Sequence, residues 1–420
     1  MIVFTNIKLR VSCVIGIIMS LENLDFLRDL SVRRMQAAPS AFKRYLYGRI
    51  DWRDRLVMVK GARGTGKTTL MLQRMRESLP DPTKALYVSL DHLWFADHSL
   101  YDVAEYHSLH GGTHLFVDEV HYHKDWQQLL KNLYDDFPEL SIVYTGSSLL
   151  KLETSGADLS RRQASYALAG LSFREYLAFE GACDIDPVPL NDVLSCHASI
   201  AQNVAGSVKV MPYFYDYLER GYYPFYKEVY GGYGQRIEAT INQVLENDLP
   251  SIEDVSFATI QKAKKMLMIL AASAPQTPNM SALYRELETD RNQGLKMLGV
   301  LERADLLNLL SSKSQTLKNM SRPDKVYCDN PNIMTALVER PDRGCMRETF
   351  FANQLKAAGH ALAYPPAGDF AVDGVHLFEV GGKRKSFTQI KDLPDSYLAV
   401  DGLEVGYGNR IPLWMFGLLY

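Results

Sequence analysis

The hydrophobic pattern of the first half of the chain alternates between strand-like and helix-like periods. An apolar run over 56–60 predicts a buried strand, and the apolar residues over 68–79 repeat with helical spacing up to Pro80. Further strands are predicted at three apolar runs, 83–90, 114–117 and 140–145. A helical pattern over 124–137 precedes the last of these strands. Strands that alternate with helices in this way are typical of an α/β protein built on a parallel sheet.

The second half of the chain has a different pattern. The residues over 190–250 are largely helical in pattern. The stretch over 260–330 predicts a helix, a short helix, a third helix and a hairpin, which is the order of a winged helix. Over 345–420 we expect a helix, several strands and a further helix that begins near Thr388. The chain therefore continues beyond the parallel sheet into helical and small α/β parts.

Composition places the chain among ordinary globular proteins. Of its 420 residues 47% are hydrophobic and 23% are charged, which excludes a disordered, collagen-like or disulfide-scaffold protein. The formal net charge of −3 excludes a uniformly basic, histone-like protein but allows a local basic surface. The five cysteines are scattered and form no CxxC pair, which argues against a cysteine-rich zinc site and favours a reducing compartment such as the cytoplasm.

A glycine-rich loop follows the first predicted strand and carries the clearest chemical signal. Its sequence GARGTGKT fits the phosphate-binding pattern GxxxxGK followed by Ser or Thr, and it lies between a strand and a helix, as this motif requires. The glycines allow backbone N–H groups to turn toward phosphate oxygens at the positive end of the helix. Lys67 is expected to contact the β- and γ-phosphates and Thr68 to bind Mg²⁺. The residues predicted to bind nucleotide are Gly61, Ala62, Arg63, Gly64, Thr65, Gly66, Lys67, Thr68 and Thr69.

The strand over 114–117 ends in a pair of carboxylates. Asp118 and Glu119 follow its apolar residues directly, which is the Walker B pattern. Asp118 is expected to hold Mg²⁺, and Glu119 to polarise the attacking water as general base. With one strand between the loop and this pair, the order fits the RecA/AAA+ branch of P-loop proteins. The guanine-reading motif N/T-K-x-D is absent from the sequence, so the expected nucleotide is ATP.

The beginning of the chain allows three interpretations. An apolar run over 11–19 follows Lys8 and Arg10, an arrangement that resembles a signal peptide. The run is shorter than the ~20 residues of a membrane-spanning helix, and no clear small-residue cleavage site follows it. A start at Met19 instead of Met1, or a buried strand, is favoured over secretion because the rest of the sequence needs cytoplasmic nucleotide.

Polar residues follow the next predicted strand. Thr145 stands at the strand end, where it is expected to contact the γ-phosphate or the attacking water, and Ser147 and Ser148 are further candidates. The alternative for the two serines is a hydroxyl that caps the following helix. Arg161 and Arg162 precede another short strand and are predicted to neutralise transition-state charge, in cis or from a neighbouring subunit. Their alternative role is a solvated charged turn.

The strings GARGTGKTTL, LFVDEVHYHKDW, YTGSS, DLSRR and LSFREYL together resemble a family of prokaryotic AAA+-like P-loop ATPases. Members of that family carry a C-terminal restriction-endonuclease-like domain of unknown function. The resemblance covers about residues 30–180 well and the remainder in outline. It implies ATP binding and hydrolysis. The string that ends at His121 also resembles the DExH motif of helicases, but no second RecA-like lobe follows, so His121 is expected to support the site or the fold.

The predicted winged helix is the candidate DNA-binding element. Between Gln261 and Lys325 there are eleven Lys/Arg and six Asp/Glu, a local excess of +5 in a chain of net charge −3. Such an excess favours contacts with phosphates without selecting a sequence. The residues predicted to contact DNA, all in the third helix, are Arg291, Asn292, Gln293 and Lys296. The alternative is a winged helix that packs as a protein–protein module.

The C-terminal part predicts a nuclease fold whose site has diverged. A two-metal nuclease of this type needs an Asp and then E-x-K on one strand. Asp373 and Glu379 fit, but the residue two beyond Glu379 is Gly381. Because alternate residues of a strand share a face, Lys383 could replace the missing lysine only if the backbone bends at the glycines. We therefore expect an inactive domain that serves in binding or dimerisation, with Asp373, Glu379 and Lys383 as remnants of the site.

The predicted organisation has five parts. They are an N-terminal extension (1–30), an AAA+-like P-loop ATPase domain (31–182), a helical lid or linker (183–255), a winged-helix domain (256–335) and a restriction-endonuclease-like α/β domain (336–420). The expected function is Mg²⁺-dependent hydrolysis of ATP to ADP and phosphate that drives conformational change in the last two parts, with DNA as a candidate partner. The alternatives are a slow ATP-dependent switch that gates a protein partner, and an ATP-coupled nuclease. We expect a cytoplasmic protein without membrane contact that binds ATP and either a protein partner or further copies of itself.

Overall fold

The computed structural model describes residues 24–78, 81–149, 159, 161–229, 231–273, 279–312 and 323–420. The interpretations offered for the start of the chain, including Met1 or Met19 as the first residue, fall on residues outside these ranges. The described residues form two compact units. The first takes its described residues from Met1–Lys60, Lys67–Gly146 and Lys151–Ala167, and the second from Gly61–Gly66, Ser147–Leu150 and Leu168–Tyr420.

A parallel sheet forms the centre of the first unit. Its strands are β1 (Leu56–Gly61), β2 (Ala85–Ser89), β3 (His114–Asp118), β4 (Ser141–Ser147) and β5 (Ala164–Ala167). The five strands stand in the order β2-β3-β4-β1-β5. The pairs β1–β5, β2–β3 and β3–β4 have parallel register. A parallel sheet is covered on both faces and needs continuous apolar strands, and residues 56–59 of β1 are accordingly fully buried. The predicted α/β sheet is confirmed.

Helices in the described part of the first unit connect these strands. They are α1 (residues 24–37), α2 (Lys67–Ser78), α3 (Leu100–Leu109) and α4 (Trp126–Asp136). Helices α2 and α4 were predicted from their helical spacing, whereas α3 was not. Ser99 begins α3 because its side chain accepts a hydrogen bond from the Tyr101 N–H, and Leu100, Val103 and Ala104 are buried along one face.

The second unit begins with a helical region. Its helices are α5 (Phe173–Phe179), α6 (Leu190–Ser207), α7 (Val210–Arg220), α8 (Tyr233–Gln243) and α9 (Leu249–Ile252), with a π-helical turn (Val244–Asp248) between the last two. Ser172 and Glu175 begin α5 through a capping box, in which each side chain accepts a hydrogen bond from the other residue's backbone N–H. The helical character predicted for 190–250 is confirmed.

Three helices and a hairpin follow in the predicted order. They are α10 (Phe257–Ala272), α11 (Met280–Glu286) and α12 (Arg291–Arg303), then the antiparallel strands β6 (Leu307–Leu310) and β7 (Lys325–Cys328). Each helix begins at a polar side chain that accepts a backbone hydrogen bond, from Ser256, Asn279 and Asp290 respectively. The assignment of this group as a winged-helix domain remains a prediction.

The last five strands form a mixed sheet, with parallel and antiparallel pairs. Helices α13 (Pro331–Leu337) and α14 (Arg343–Ala357) precede β8 (Leu362–Ala363), β9 (Phe370–Val372), β10 (His376–Gly382), β11 (Ser396–Asp401) and β12 (Arg410–Pro412). These five strands stand in the order β12-β11-β10-β9-β8. The helix expected near Thr388 is wrong, because residues 388–395 form turns and bends. Pro394 cannot continue a helix, and only residues 383–395 connect β10 to β11. Across the ranges given above, no helix is long and apolar enough to cross a membrane.

Candidate functional site

The loop between β1 and α2 has a backbone shape that only glycine adopts readily. Gly64 and Gly66 have φ angles of 84° and 95°, in the left-handed region. A Cβ atom on Gly64 would lie 2.7 Å from the ring of Phe225, so a side chain is also excluded by space. Thr65 Oγ1 donates a hydrogen bond to the Ala62 carbonyl oxygen at 2.9 Å and closes the turn. Turns of this kind aim successive N–H groups into one concave surface, which favours an anion.

The carboxylate of Asp118 is the centre of the hydrogen bonds at the end of β3. Thr68 Oγ1 donates to its Oδ2 atom at 2.7 Å, and the Tyr87 hydroxyl donates to the same atom at 2.9 Å. Thr145 Oγ1 donates to the other carboxylate oxygen, Oδ1. Asp118 is only 3% exposed, so its charge is stabilised by these donors rather than by bulk water. The structure therefore brings three of the predicted residues together and adds Tyr87.

Glu119 is held in an unusual backbone conformation beside this carboxylate. Its φ angle is 54°, in the left-handed region that is uncommon outside glycine. Its backbone N–H donates to Thr145 Oγ1 at 3.0 Å, so one hydroxyl contacts both members of the acidic pair. The Glu119 Oε2 atom lies 3.3 Å from Nδ1 of the buried His121. This proximity is compatible with the supporting role expected for His121, which stays a prediction.

Ser147 is the last residue of β4. Its hydroxyl accepts a hydrogen bond from the Leu149 backbone N–H at 3.3 Å, a local turn contact. Thr145 contacts both members of the acidic pair, whereas contact of Ser147 or Ser148 with the nucleotide stays a prediction.

Tyr87 is a site residue that the sequence did not reveal. It lies in the middle of β2, where its register partner on β3 is Phe116. Burial and the nearby Asp118 carboxylate raise the pKa of the Tyr87 hydroxyl well above its usual value, so the hydroxyl keeps its proton and remains a donor. A tyrosine within an apolar strand is also typical of an ordinary core position, so the sequence alone could not have distinguished the two roles.

Tyr87→Phe is expected to raise the Mg²⁺ concentration that half-saturates ATP hydrolysis by about 10–100-fold, because partners that orient a metal ligand have effects of this size. The measurement is the Mg²⁺ dependence of the ATPase rate, with the melting temperature as a check on the fold. A variant that melts earlier but keeps the Mg²⁺ dependence of the wild type would assign Tyr87 a purely structural role.

The two arginines proposed as charge-neutralising groups lie at the end of the sheet where strands β1 and β5 begin. Ala164, the first residue of β5, pairs in parallel with Val57 near the start of β1, and Arg161 and Arg162 precede it. Arg162 Nε is 3.0 Å from Asp135 Oδ1 at the end of α4. The phosphate-binding loop follows the opposite end of β1, a strand of six residues and roughly 20 Å. A role in cis is therefore wrong, and only the role toward a neighbouring subunit stays a prediction.

Arg63 of the loop forms an ion pair within the second unit. Its Nη1 atom lies 3.1 Å and 3.2 Å from the two carboxylate oxygens of Asp248, the last residue of the π-helical turn. Asp248 is 2% exposed, so this contact stabilises a deeply buried charge. A cleft beside the pair encloses about 300 Å³, including the part open to solvent, and Ala62, Phe225 and Val244 are among its lining residues. No sequence pattern indicates the Arg63–Asp248 pair, because 185 residues separate its members.

The residues predicted to contact DNA lie together at the start of α12. Arg291, Asn292, Gln293 and Lys296 are all exposed. Asp290 accepts hydrogen bonds from the N–H groups of Asn292 and Gln293, so a carboxylate stands at the same helix end. The four side chains are accessible as predicted, and DNA contact stays a prediction.

The nuclease remnant predicted from the sequence is not assembled. Asp373 lies in the turn after β9 and is exposed, with its Oδ2 atom 2.7 Å from His360 Nδ1. Glu379 lies at the other end of the same hairpin, one residue beyond the Phe378–Phe370 pair of the β9–β10 register. Asp373 is opposite position 375 in this register, so four residues, or about 13 Å of strand, separate its backbone position from that of Glu379. Lys383 is exposed in the turn after β10.

Different residues surround Glu379. Lys385 Nζ lies 3.8 Å from Glu379 Oε1 and 3.9 Å from Asp369 Oδ2. The motif named Asp373 and Lys383 as partners of Glu379, whereas the strand register and the following turn place Asp369 and Lys385 beside it. No group of three His, Cys, Asp or Glu residues in the described ranges is arranged to hold a metal ion.

The parallel sheet of order β2-β3-β4-β1-β5 and the acidic pair after β3 define a P-loop ATPase of the AAA+ class. The hydroxyl of Thr68 and the carboxylate of Asp118 are the hard oxygen ligands that Mg²⁺ prefers, so the residues present fit a nucleotide-bound Mg²⁺ ion.

The comparison with protein families agrees with this class. Residues 53–177 match the family model described as an AAA domain, and residues 211–343 match a domain of unknown function, DUF8612. The chain therefore carries an AAA+ P-loop ATPase domain, a class whose general activity is the binding and hydrolysis of ATP.

Individual relatives show how far the likeness extends. The uncharacterized protein MJ1637 of Methanocaldococcus jannaschii is 28% identical over 386 residues, which cover 84% of this chain and 80% of that protein. AMPPCP-bound DnaA from Aquifex aeolicus has a TM-score of 0.26 and 14% identity, and the likeness covers 61% of this chain and 84% of that chain. A structure from a study of katanin self-assembly has a TM-score of 0.25 and 16% identity and covers 33% of this chain and 51% of that chain. Similarities at these TM-scores carry no weight for the site, so the class rests on the family model and the geometry.

Proposed function

We propose that this chain is a Mg²⁺-dependent ATPase that converts ATP to ADP and phosphate. The observation that carries the proposal is the 2.7 Å hydrogen bond between Thr68 and Asp118, the two residues expected to share one Mg²⁺ ion. The match of residues 53–177 to an AAA domain supports ATP as the nucleotide. The proposal includes a cytoplasmic location, where ATP is available.

Each residue of the site has a distinct part in this proposal. The loop N–H groups and Lys67, which is buried at the start of α2, bind the β- and γ-phosphates. Mg²⁺, when bound, neutralises charge on the phosphate oxygens. Glu119 accepts the proton of the attacking water. Thr145 holds the backbone of Glu119 and the side chain of Asp118 with one hydroxyl, which keeps the base and the metal ligand at a constant separation.

The arginines support an assembly of several copies. Arg161 and Arg162 precede β5, which begins beside the start of β1, and the phosphate-binding loop of their own chain follows the end of β1. An arginine supplied by a neighbouring subunit contributes about 10³–10⁵ in rate in related phosphoryl-transfer enzymes. We therefore include in the proposal that copies of this chain associate and that one copy supplies this charge to the next.

The ion pair between Arg63 and Asp248 supports the proposal that hydrolysis changes the conformation of the helical region. Arg63 belongs to the phosphate-binding loop, and its partner Asp248 stands between α8 and α9. A change in the loop on hydrolysis would be transmitted to this helical region and onward to α12. DNA is proposed as the partner there because Arg291 and Lys296 are exposed together.

The alternative function, a slow ATP-dependent switch, would use the same residues but hydrolyse ATP at a much lower rate. In that case ATP binding would change the state of a protein partner and hydrolysis would only reset it. A nuclease activity is not proposed, since Asp373 and Lys383 do not join Glu379.

The test is the release of phosphate from ATP by the full chain with Mg²⁺, with and without duplex DNA. Steady turnover that depends on Mg²⁺ and is accelerated by DNA is the expected result. Tight ATP binding with negligible turnover under every condition would contradict an ATPase that drives conformational change by steady hydrolysis. The slow ATP-dependent switch would then be the remaining function. Turnover without any effect of DNA would reject the DNA partner alone.

A further inference from the structure

A buried lysine stands between two carboxylates in the second unit. Lys325 Nζ, on β7, lies 3.3 Å from Glu348 Oε2 on α14 and 3.2 Å from Asp369 Oδ1 just before β9. The exposed fractions of the three side chains are 9%, 12% and 17%. Charges so far removed from water need close partners, and each of the two carboxylates has the same ammonium as its partner.

The surroundings fix this ammonium in place. The Tyr327 hydroxyl donates to Glu348 Oε2 at 2.7 Å, and the Val380 backbone N–H donates to Asp369 Oδ2 at 3.0 Å. The ring centroid of Tyr364 lies 5.3 Å from Lys325 Nζ, within the range of a cation–π contact. Both carboxylates are thus oriented by other donors toward the point that the ammonium occupies.

A third carboxylate, that of Glu379, is linked to this cluster through Lys385, whose Nζ atom lies near both Asp369 and Glu379. Glu379 is 1% exposed, and neither of its carboxylate oxygens has a hydrogen-bond partner among the described residues. Its neighbour Lys385 stands 3.8 Å away and is about one-third exposed. Together the cluster has three carboxylates against two ammonium groups, which leaves it short of one positive charge. Burial raises the pKa of both Glu348 and Glu379, as expected for carboxylates that lack full compensation.

We propose that the Lys325 ammonium is the resident cation between Glu348 and Asp369 and occupies the point at which these two carboxylates would otherwise hold a divalent metal ion. Carboxylate oxygens that converge on one point are typical ligands of Mg²⁺ or Mn²⁺. An ammonium at that point replaces the metal charge and excludes the ion by space and by repulsion. The second unit then needs no metal for this cluster, and β7 is tied to α14 and to the start of β9.

The experiment is Mn²⁺ binding by the full chain, without nucleotide, followed by electron paramagnetic resonance. All arms carry Asp118→Asn, which removes the predicted metal ligand of the nucleotide site. Adding Lys325→Met is expected to create binding of about one Mn²⁺ per chain, at least tenfold tighter than in the Asp118→Asn parent. Adding Asp369→Asn to that variant is expected to remove the new binding.

Two controls separate position from charge. Lys383→Met removes the same charge at an exposed lysine that makes no ion pair among the described residues, and it is expected to create no binding. Lys325→Arg keeps a cation in place and is also expected to create none. Equal Mn²⁺ binding in Lys383→Met and Lys325→Met would overturn the proposal, because net charge rather than position would then explain the effect.

The remaining outcomes are also decisive. Mn²⁺ binding in the Asp118→Asn parent that Asp369→Asn removes would overturn the proposal, since the wild-type cluster would then be a metal site. So would a folded Lys325→Met variant that binds no more Mn²⁺ than the parent. If Lys325→Met does not fold alone, recovery of a cooperative melting transition with Mn²⁺ supports the proposal, and failure to recover rejects it.

Discussion

Glu119→Gln is expected to leave ATP binding intact and to slow hydrolysis by about 10²–10⁴-fold, the usual contribution of a general base. Glutamine keeps the size of the side chain and cannot accept the proton of the attacking water. The backbone contact from residue 119 to Thr145 is unaffected by the change, so the arrangement around Asp118 is preserved. The measurement is the phosphate release rate at saturating ATP, together with the Kd of ATP in the same buffer.

A matched control for this variant is Glu139→Gln. It makes the same chemical change at an exposed position of the same unit, and its rate is expected to equal that of the wild type. A Glu119→Gln variant that hydrolyses ATP at more than a tenth of the wild-type rate would remove Glu119 from the role of base. The neighbouring His121, 3.3 Å from the Glu119 carboxylate, would then be the next residue to replace.

Lys67→Ala is expected to abolish nucleotide binding at ordinary concentrations. Truncating one partner of a buried, hydrogen-bonded charge pair costs about 2–5 kcal/mol. That cost corresponds to roughly 30- to 5,000-fold in the Kd of ATP. Lys67 is 6% exposed at the first residue of α2, so water cannot replace its ammonium at the phosphates. The measurement is the Kd of ATP by calorimetry, with ADP as a second ligand.

The control here is Lys84→Ala, an exposed lysine of the same unit that lies just before β2. Its Kd for ATP is expected to be unchanged. Equal affinities of wild type and Lys67→Ala would contradict phosphate binding at this loop. They would also contradict the ATPase proposal as a whole, because the other residues of the site act on a nucleotide that this loop must hold.

The fold could be predicted wherever a local pattern decides the structure. The apolar runs of β1, β3 and β4 predicted buried strands, since a parallel strand covered on both faces admits few polar residues. Helix α3 was missed because its apolar face includes His107 and small residues, so the helical period is weak in the sequence. The false helix near Thr388 shows the opposite error, since residues 388–395 form turns and bends and Pro394 cannot continue a helix.

The residues of the candidate nucleotide site also differ in whether a local sequence pattern could predict them. Thr68, Asp118 and Glu119 were predicted because each stands at a set place in a short motif, next to a strand end. Tyr87 and Asp248 were not, since their roles depend on contacts with residues 31 and 185 positions away along the chain. The two arginines before β5 were predicted to neutralise charge, and only the strand direction showed at which end of the sheet they lie.

The sequence by itself determined the class of this protein. Its glycine loop and its acidic pair are local, and the backbone conformation of such short segments depends mainly on which residues carry no Cβ atom or bear charge. Only the tertiary structure decided which distant side chains complete each centre, as Tyr87 does for Asp118 and Lys325 for Glu348 and Asp369. Such contacts depend on strand register and helix packing, and a shift of one residue would send the side chain to the opposite face.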